Sequence, residues 1–340
     1  MAIDGTIAVV GAPRDGTIAA EAGAAYVYEK AAGTWSHLQT FYGQDIGDQF
    51  GYSVAVVVDS SGLNEGDFIA VGSLLGDGVT GLSNVNIYRR IPPSPTFAFQ
   101  QTVSAGDGNG FDEFGHAIAL DLSVPGESLS GDPVYTLVVG APDDNGAQGQ
   151  DMGSVYIFQL APNGIAWAPT AKLVPTDIVG GDLLGRSVAI EGDLIIAGAT
   201  GWPFGNNPGG VSYLMRRFYD TGAGYFNWEV NNRLTASDGE SGDLFGRRVA
   251  IDIGVPIVGA PFADTGSGGQ GAVYIFGGMP AGYEITESQK ILAPDPSDSI
   301  NFGVNLAIHR HVLVASEQTD PPGSRSISRL SRTTGPGSRP

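Results

Sequence analysis

Three adjacent polar residues could supply oxygen ligands to a metal ion. Asp143, Asp144 and Asn145 directly follow a short apolar run that ends in Gly-Ala-Pro. Calcium and other hard cations bind roughly six to eight oxygens from closely spaced carboxylates, amides and carbonyls. These three residues are therefore a candidate cation site, for which calcium is the suitable ion, although the sequence firmly implies no cofactor.

A second candidate site is a loop in which two aromatic residues are followed by two asparagines. Residues 202–210 read Trp-Pro-Phe-Gly-Asn-Asn-Pro-Gly-Gly. Trp202 and Phe204 offer flat apolar faces, and the amides of Asn206 and Asn207 lie beside them, a combination suited to sugar rings or peptides. The loop is a ligand-binding candidate, and the alternative that it only fills a local gap remains open.

Catalytic constellations have little support in the sequence. The histidines His37, His116, His309 and His311 fall in no hydrolase or metallopeptidase motif, and the absence of cysteine removes thiolate chemistry. Acid pairs for glycoside hydrolysis depend on a separation in space that a sequence does not give. We assign no catalytic residue, and an enzyme is the less favoured alternative.

Acidic pairs form a more regular feature. Each pair precedes a Phe-Gly or Leu-Gly dipeptide: Asp45 and Asp48, Asp107 and Asp112, Asp177 and Asp182, Asp238 and Asp243, Asp295 and Asp298. One interpretation is a ring of ligand contacts on one face of the molecule. The favoured interpretation is that these carboxylates accept hydrogen bonds from the amides of their own turns.

The elements that carry these residues repeat at intervals of roughly sixty residues. The first signature is Phe-Gly or Leu-Gly before an apolar run, with its glycine at Gly51, Gly115, Gly185, Gly246 and Gly303. The second resembles Val-Gly-Ala-Pro, with its glycine at Gly11, Gly72, Gly140, Gly198 and Gly259. A Tyr-Ile-Phe-like run follows, and then an aromatic residue, namely Trp35, Phe97, Trp167, Trp228 or Tyr283.

The repeated runs predict strands and not helices. They are short, rich in Val, Ile, Tyr and Phe, and bounded by Gly, Asp and Pro. Asp4-Gly5 between two such runs is a strong hairpin signal. Four antiparallel strands per module predict an all-β chain folded as a β-propeller. We expect the glycines to allow close packing near the hub, and the Phe of Phe-Gly and Trp228 to pack between or within blades.

Composition limits the partners. The chain has 36 acidic and 17 basic residues and a formal net charge of −19, which disfavours binding to nucleic acid. No apolar run is long enough for a membrane helix, so no membrane insertion is expected. The N-terminus shows no signal-peptide pattern.

The spacing of Phe-Gly, Gly-Ala-Pro and Gly-x-x-Tyr-Ile-Phe, over about residues 3–320, resembles the FG-GAP repeat of integrin-α-type propellers and their bacterial relatives. The resemblance implies a propeller, usually seven-bladed, in extracellular or cell-surface adhesion or ligand binding. Calcium loops of that family carry regularly alternating Asp residues, and this chain departs from that pattern.

Six modules are visible, and the outer two are incomplete. The first lacks its Phe-Gly segment, and in the last the aromatic residues of the third run are replaced by serine. Either six blades close on themselves or the chain is part of a longer, seven-bladed protein, which is the favoured interpretation. We expect one domain over residues 1–320, with 321–340 a disordered basic tail or a degenerate terminal strand.

Three functions remain open. The favoured one is a non-catalytic extracellular or cell-surface propeller that binds a protein or glycan partner. The second is a propeller enzyme, such as a polysaccharide lyase or glycosidase, which a non-repeated cluster of acid, His and Tyr at the channel mouth would favour. The third is a structural repeat domain of a larger surface protein.

Overall fold

The computed structural model describes residues 1–59, 66–74, 82–108, 111–123, 133–146, 149–161, 164–201, 209–264, 269–277, 285–293, 301–309 and 312–316, and the backbone of 328–332. These residues form 23 β-strands and no helix. In particular, they contain no helix of the length and apolar character needed to cross a membrane. The all-β prediction is confirmed.

The strands form six antiparallel sheets. The first contains β1 (Ala2–Asp4), β2 (Ile7–Ala12), β3 (Ala24–Ala31) and β4 (Thr34–Tyr42). The second contains β5 (Ser53–Val57), β6 (Asp67–Ser73), β7 (Asn84–Arg90) and β8 (Ala98–Val103). The third contains β9 (Ala117–Ser123), β10 (Val134–Ala141), β11 (Ser154–Leu160) and β12 (Trp167–Leu173). The fourth contains β13 (Leu184–Glu191), β14 (Leu194–Ala199), β15 (Val211–Asp220) and β16 (Tyr225–Leu234). The fifth contains β17 (Arg248–Asp252), β18 (Val255–Ala260), β19 (Ala272–Phe276) and β20 (Glu287–Leu292). The sixth contains β21 (Asn305–His309), β22 (Val312–Ser316) and β23 (Ser328–Arg332).

Each sheet is a meander whose strands pair in chain order, and the sheets are blades of a β-propeller. The first blade keeps a short first strand, since Ala2–Asp4 pairs with β2. Three strands of the sixth blade lie among the described residues, and Ser328–Arg332 pairs with β22 beyond residue 320. The proposed domain boundary at residue 320 stays a prediction.

Neighbouring blades are joined by a repeated backbone bridge. A glycine just before the third strand of one blade pairs in parallel with the Phe or Leu of the next: Gly23 with Phe50, Gly153 with Leu184, Gly210 with Phe245, and Gly271 with Phe302. Beside this bridge, the two signature glycines of adjacent blades approach closely. A Cβ placed on Gly140 would lie 1.9 Å from the carbonyl oxygen of Gly185. The predicted role of these glycines in close packing is confirmed.

Among the described residues, the core consists of five apolar layers, each shared by two neighbouring blades. Between the third and fourth blades, for example, Val155 and Ile157 pack with Ile195 and Tyr213. The Phe or Leu of the first signature is buried in every module that has one: Phe50, Phe114, Leu184, Phe245 and Phe302. Burial of apolar surface between blades is therefore the main source of stability.

The aromatic residues of the fourth strands follow the same rule. Phe97, Trp167 and Trp228 are buried, and Trp228 packs in the layer between the third and fourth blades, as predicted. Trp35 of the first blade is 38% exposed. Glutamines add polar links between blades. The amide of Gln39 forms two hydrogen bonds of 3.0 Å to the backbone N–H and carbonyl of Phe97. Gln101 forms the same pair with Trp167.

Candidate functional site

A tight turn at the first signature recurs in five modules. It places one side chain of each module at the equivalent position. The fourth residue of the turn donates its backbone N–H to the carbonyl of the first: Tyr52 to Gln49, His116 to Glu113, Arg186 to Leu183, Arg247 to Leu244, and Val304 to Asn301. The first residue has a left-handed backbone, with φ of 51°, 51°, 61°, 54° and 47° in that order. We call Tyr52, His116, Arg186, Arg247 and Val304 the mouth residues.

Residues from different blades meet around the mouth. The rings of Tyr52 and His116, from neighbouring modules, have centroids 5.2 Å apart. Arg248, which follows Arg247, interacts electrostatically with Arg186 of the preceding module. The amino group of Met1 interacts electrostatically with Arg248. Because Met1 belongs to the first blade and Arg248 to the fifth, the blades curve around a shared centre.

A pocket of about 330 Å³ opens where the fourth, fifth and sixth modules meet. Its wall contains the first and fourth turn residues of all three modules, together with residues that follow the Gly-Ala signature. The lining residues are Leu183, Arg186, Thr200, Leu244, Arg247, Pro261, Phe262, Asn301 and Val304. A few polar groups on a largely apolar wall are typical of small-ligand pockets, and the volume lies in their usual range.

The two arginines give the pocket its charge. Within the described part of the chain, neither Arg186 nor Arg247 has a carboxylate partner at ion-pair distance. Burial lowers the pKa of Arg247, and the nearby charge of Arg186 lowers it further. Arginine nevertheless stays protonated at neutral pH. The pocket therefore presents two positive charges that repel each other.

An acid, a histidine and a tyrosine lie beside the arginines. Nδ1 of His116 is 2.8 Å from Oε2 of Glu113, and the ring of His116 packs against Tyr52. Burial lowers the pKa of His116 more than Glu113 raises it, so the ring is neutral at pH 7. The hydrogen bond to His116 lowers the pKa of Glu113. The mouth thus combines a carboxylate, a neutral imidazole and a phenol.

The metal candidates do not share one centre. Oδ2 of Asp144 accepts hydrogen bonds from Tyr156 (2.9 Å) and Ser154, and it lies 2.8 Å from the amine of Lys172. The side chain of Asn145 accepts the N–H of Asp151 instead. This arrangement favours an ion-pair role for Asp144 over cation binding.

Asp143 lies on the mouth side of the ion pair between Asp144 and Lys172. Burial, and then the charge of Glu113, raise the pKa of Asp143 to about 6. The described residues contain no group of three or more His, Cys, Asp or Glu arranged to hold a metal ion. The metal site at Asp143, Asp144 and Asn145 stays a prediction.

The aromatic loop candidates Trp202, Phe204, Asn206 and Asn207 lie outside the described residues. Thr200, two residues before Trp202, is buried and lines the pocket. The chain therefore enters this loop from the pocket wall.

The first and second members of the acidic pairs have different roles. The second member accepts hydrogen bonds from turn amides, as predicted: Asp48 from Gln44 and Asp45, Asp182 from Val179, and Asp243 from Glu240. Asp295 and Asp298 lie in a segment that the structure does not describe.

In three of the pairs, the first member forms an ion pair that was not predicted from the sequence. Asp107 accepts from the hydroxyl of Tyr156 (2.9 Å) and pairs with Lys172 (2.7 Å). Asp238 bonds Tyr274 (3.0 Å) and Lys290, and Asp177 pairs with Arg233 (3.3 Å). The sequence signal for these ion pairs was a tyrosine on the third strand with a basic residue opposite it on the fourth strand. This arrangement recurs in three successive modules.

The mouth residues were also missed as a site, although they were visible in the aligned first signatures. The residue after the signature glycine differs in every module except two, where it is arginine. A variable position inside an otherwise regular motif was the available signal for this candidate site.

Comparison with known families agrees with the modular architecture. Residues 167–214 and 228–276 match the FG-GAP repeat. Each match begins near the fourth strand of one blade and ends in the third strand of the next, so the repeat unit spans a blade junction. Over these residues, the chain is similar to the FG-GAP repeat, and it carries that similarity on a propeller built from four-stranded blades.

Proposed function

We propose that this protein is a non-catalytic recognition propeller that binds a protein or glycan partner outside the cell or at the cell surface. The observation that carries the proposal is the pocket at the mouth, where two arginines without an ion-pair partner among the described residues share one wall with a buried threonine and an exposed aromatic residue. FG-GAP repeats are typical of extracellular proteins, which supports the location.

The rigidity of the mouth supports a binding role. Every mouth residue lies in a turn closed by a backbone hydrogen bond. In four of the five modules, the parallel bridge also anchors this turn to the neighbouring blade. A preformed surface loses little conformational entropy when a ligand binds. The mouth can therefore bind through a small number of well-placed contacts.

Binding to glycan and cell-surface protein arrays tests this proposal. We expect a reproducible ligand whose affinity falls at least about tenfold in the double variant Trp202→Ala, Phe204→Ala, because that loop leaves the pocket wall at Thr200. Trp35→Ala, which removes an exposed aromatic residue of the first blade, is the matched control and should bind normally. Absence of any ligand on both arrays would contradict the proposal.

A second candidate function is a polysaccharide lyase, which the cluster of Glu113, His116 and Tyr52 favours. In β-elimination, His116 would accept the proton from the carbon beside the carboxylate of a uronic acid residue. The C–O bond to the neighbouring sugar would break as the C=C bond forms, and the hydroxyl of Tyr52 would protonate the departing oxygen.

Ultraviolet absorbance of the unsaturated product, measured on polysaccharides that contain uronic acid, tests the lyase. Tyr52→Phe and His116→Ala should each abolish product formation if these residues transfer protons. A wild-type protein that binds such polysaccharides without forming product would leave the non-catalytic proposal as the correct one.

A further inference from the structure

We infer that the mouth pocket binds the carboxylate of an acidic sugar residue, held between Arg186 and Arg247 with the sugar ring against Phe262. This inference rests on the proposed recognition function and names the class of its ligand.

The first step is the charge of the pocket. Two guanidinium groups line one cavity, and the described residues place no carboxylate at ion-pair distance from either. Buried or partly buried cations are normally paired, because an uncompensated charge in a poorly solvated site is costly. A bound anion would compensate both charges. Guanidinium groups suit a carboxylate because they donate two parallel hydrogen bonds to its two oxygens.

The second step is the remainder of the wall. Thr200 and Asn301 supply hydroxyl and amide groups, and Phe262 is 45% exposed beside Pro261. Hydroxyl groups on the rim of a sugar ring require such polar partners, whereas the apolar face of the ring packs against an aromatic side chain. An isolated acidic side chain of a peptide would use the arginines and leave the aromatic wall uncovered.

The third step concerns the number of anionic groups on the ligand. The chain as a whole has a formal charge of −19, and Glu113 and Asp143 both interact with Arg186 from the adjacent module. An acidic protein repels an extended polyanion at low salt. The local positive charge therefore favours one carboxylate on a ring over a densely charged chain.

Isothermal titration calorimetry of the full chain with galacturonate and glucuronate, each beside its neutral parent sugar, tests the inference. The variants are Arg186→Gln, Arg247→Gln and the double variant, and Arg14→Gln is the control because it removes an exposed arginine elsewhere. We expect uronate to bind at least about tenfold more tightly than the neutral sugar, and the double variant to lose at least that factor. Thermal melting should show that the variants are folded.

The outcomes separate the inference from the proposed function. Equal uronate affinity in the wild type and the double variant would overturn the inference. Equal or tighter binding of acetate, sulfate or a short glutamate peptide would overturn the assignment to an acidic sugar. A wild type that ignores uronates but binds another ligand on the arrays would overturn the inference and leave the proposed function in place. Absence of every ligand would overturn both.

Discussion

Replacing Gly140 by alanine should force two blades apart. Gly140 belongs to the Gly-Ala-Pro signature of the third module, and it faces Gly185 of the fourth. The new Cβ would lie 1.9 Å from the carbonyl oxygen of Gly185, 2.7 Å from its carbonyl carbon and 2.9 Å from its Cα. All three atoms are backbone, so no side chain can rotate away to relieve the clash.

The size of the effect follows from the distance that the blades must open. A Cβ rarely approaches a carbonyl oxygen closer than about 3 Å, so the junction must widen by roughly 1 Å, which disrupts packing along the shared apolar layer. Overpacking of a rigid core costs about 1–3 kcal/mol or more, and we expect the upper end of that range. For a domain of this size, a loss of about 3 kcal/mol lowers Tm by roughly 5 °C.

The assay is thermal unfolding followed by circular dichroism, with Gly106→Ala as the matched control. Gly106 has no atom within 4 Å of its added Cβ and no left-handed backbone. This control should be neutral or slightly stabilising, because alanine restricts the unfolded chain. A Gly140→Ala protein that melts within about 1 °C of the wild type would refute the close-packing argument.

Three further predictions concern charged groups. Lys172→Met should destabilise the fold by about 2 kcal/mol in denaturant titrations, because Asp144 would stay buried without its cation, whereas exposed Lys30→Met should have little effect. Since the pKa of His116 is lowered in the folded state, the unfolded state binds more protons below about pH 6.5, and Tm should fall as the pH drops from 7 towards 5. His116→Gln should flatten that slope, and an unchanged slope would contradict it. Calcium should leave Tm unchanged because Asp144 is already paired with Lys172, and a rise with calcium but not magnesium would show that a cation site exists.

Most of the fold could be predicted because its rules are local and repeat. Phe-Gly, Gly-Ala-Pro and the short apolar runs each specify a strand or a junction, and copies in several modules support one another. The short first strand at Ala2–Asp4 was harder to predict, because it lacks the Phe-Gly that marks the strand elsewhere.

The mouth, unlike the fold, could not be predicted from local sequence patterns. Tyr52, His116, Arg186 and Arg247 are separated by long stretches of chain, and only the curvature of the blade array brings their side chains together. Sequence patterns instead indicate residues that are close together in the chain. Asp143, Asp144 and Asn145 are such a group, yet their side chains have separate partners in space.

The turn at the first signature separates architecture from specificity. Its hydrogen bond joins backbone atoms of the first and fourth residues, so it forms equally with tyrosine, histidine, arginine or valine at the fourth position. Each blade can therefore change the one side chain that it contributes to the mouth and keep this hydrogen bond. Under the proposed function, ligand preference can change by single substitutions, one blade at a time, while the scaffold stays the same.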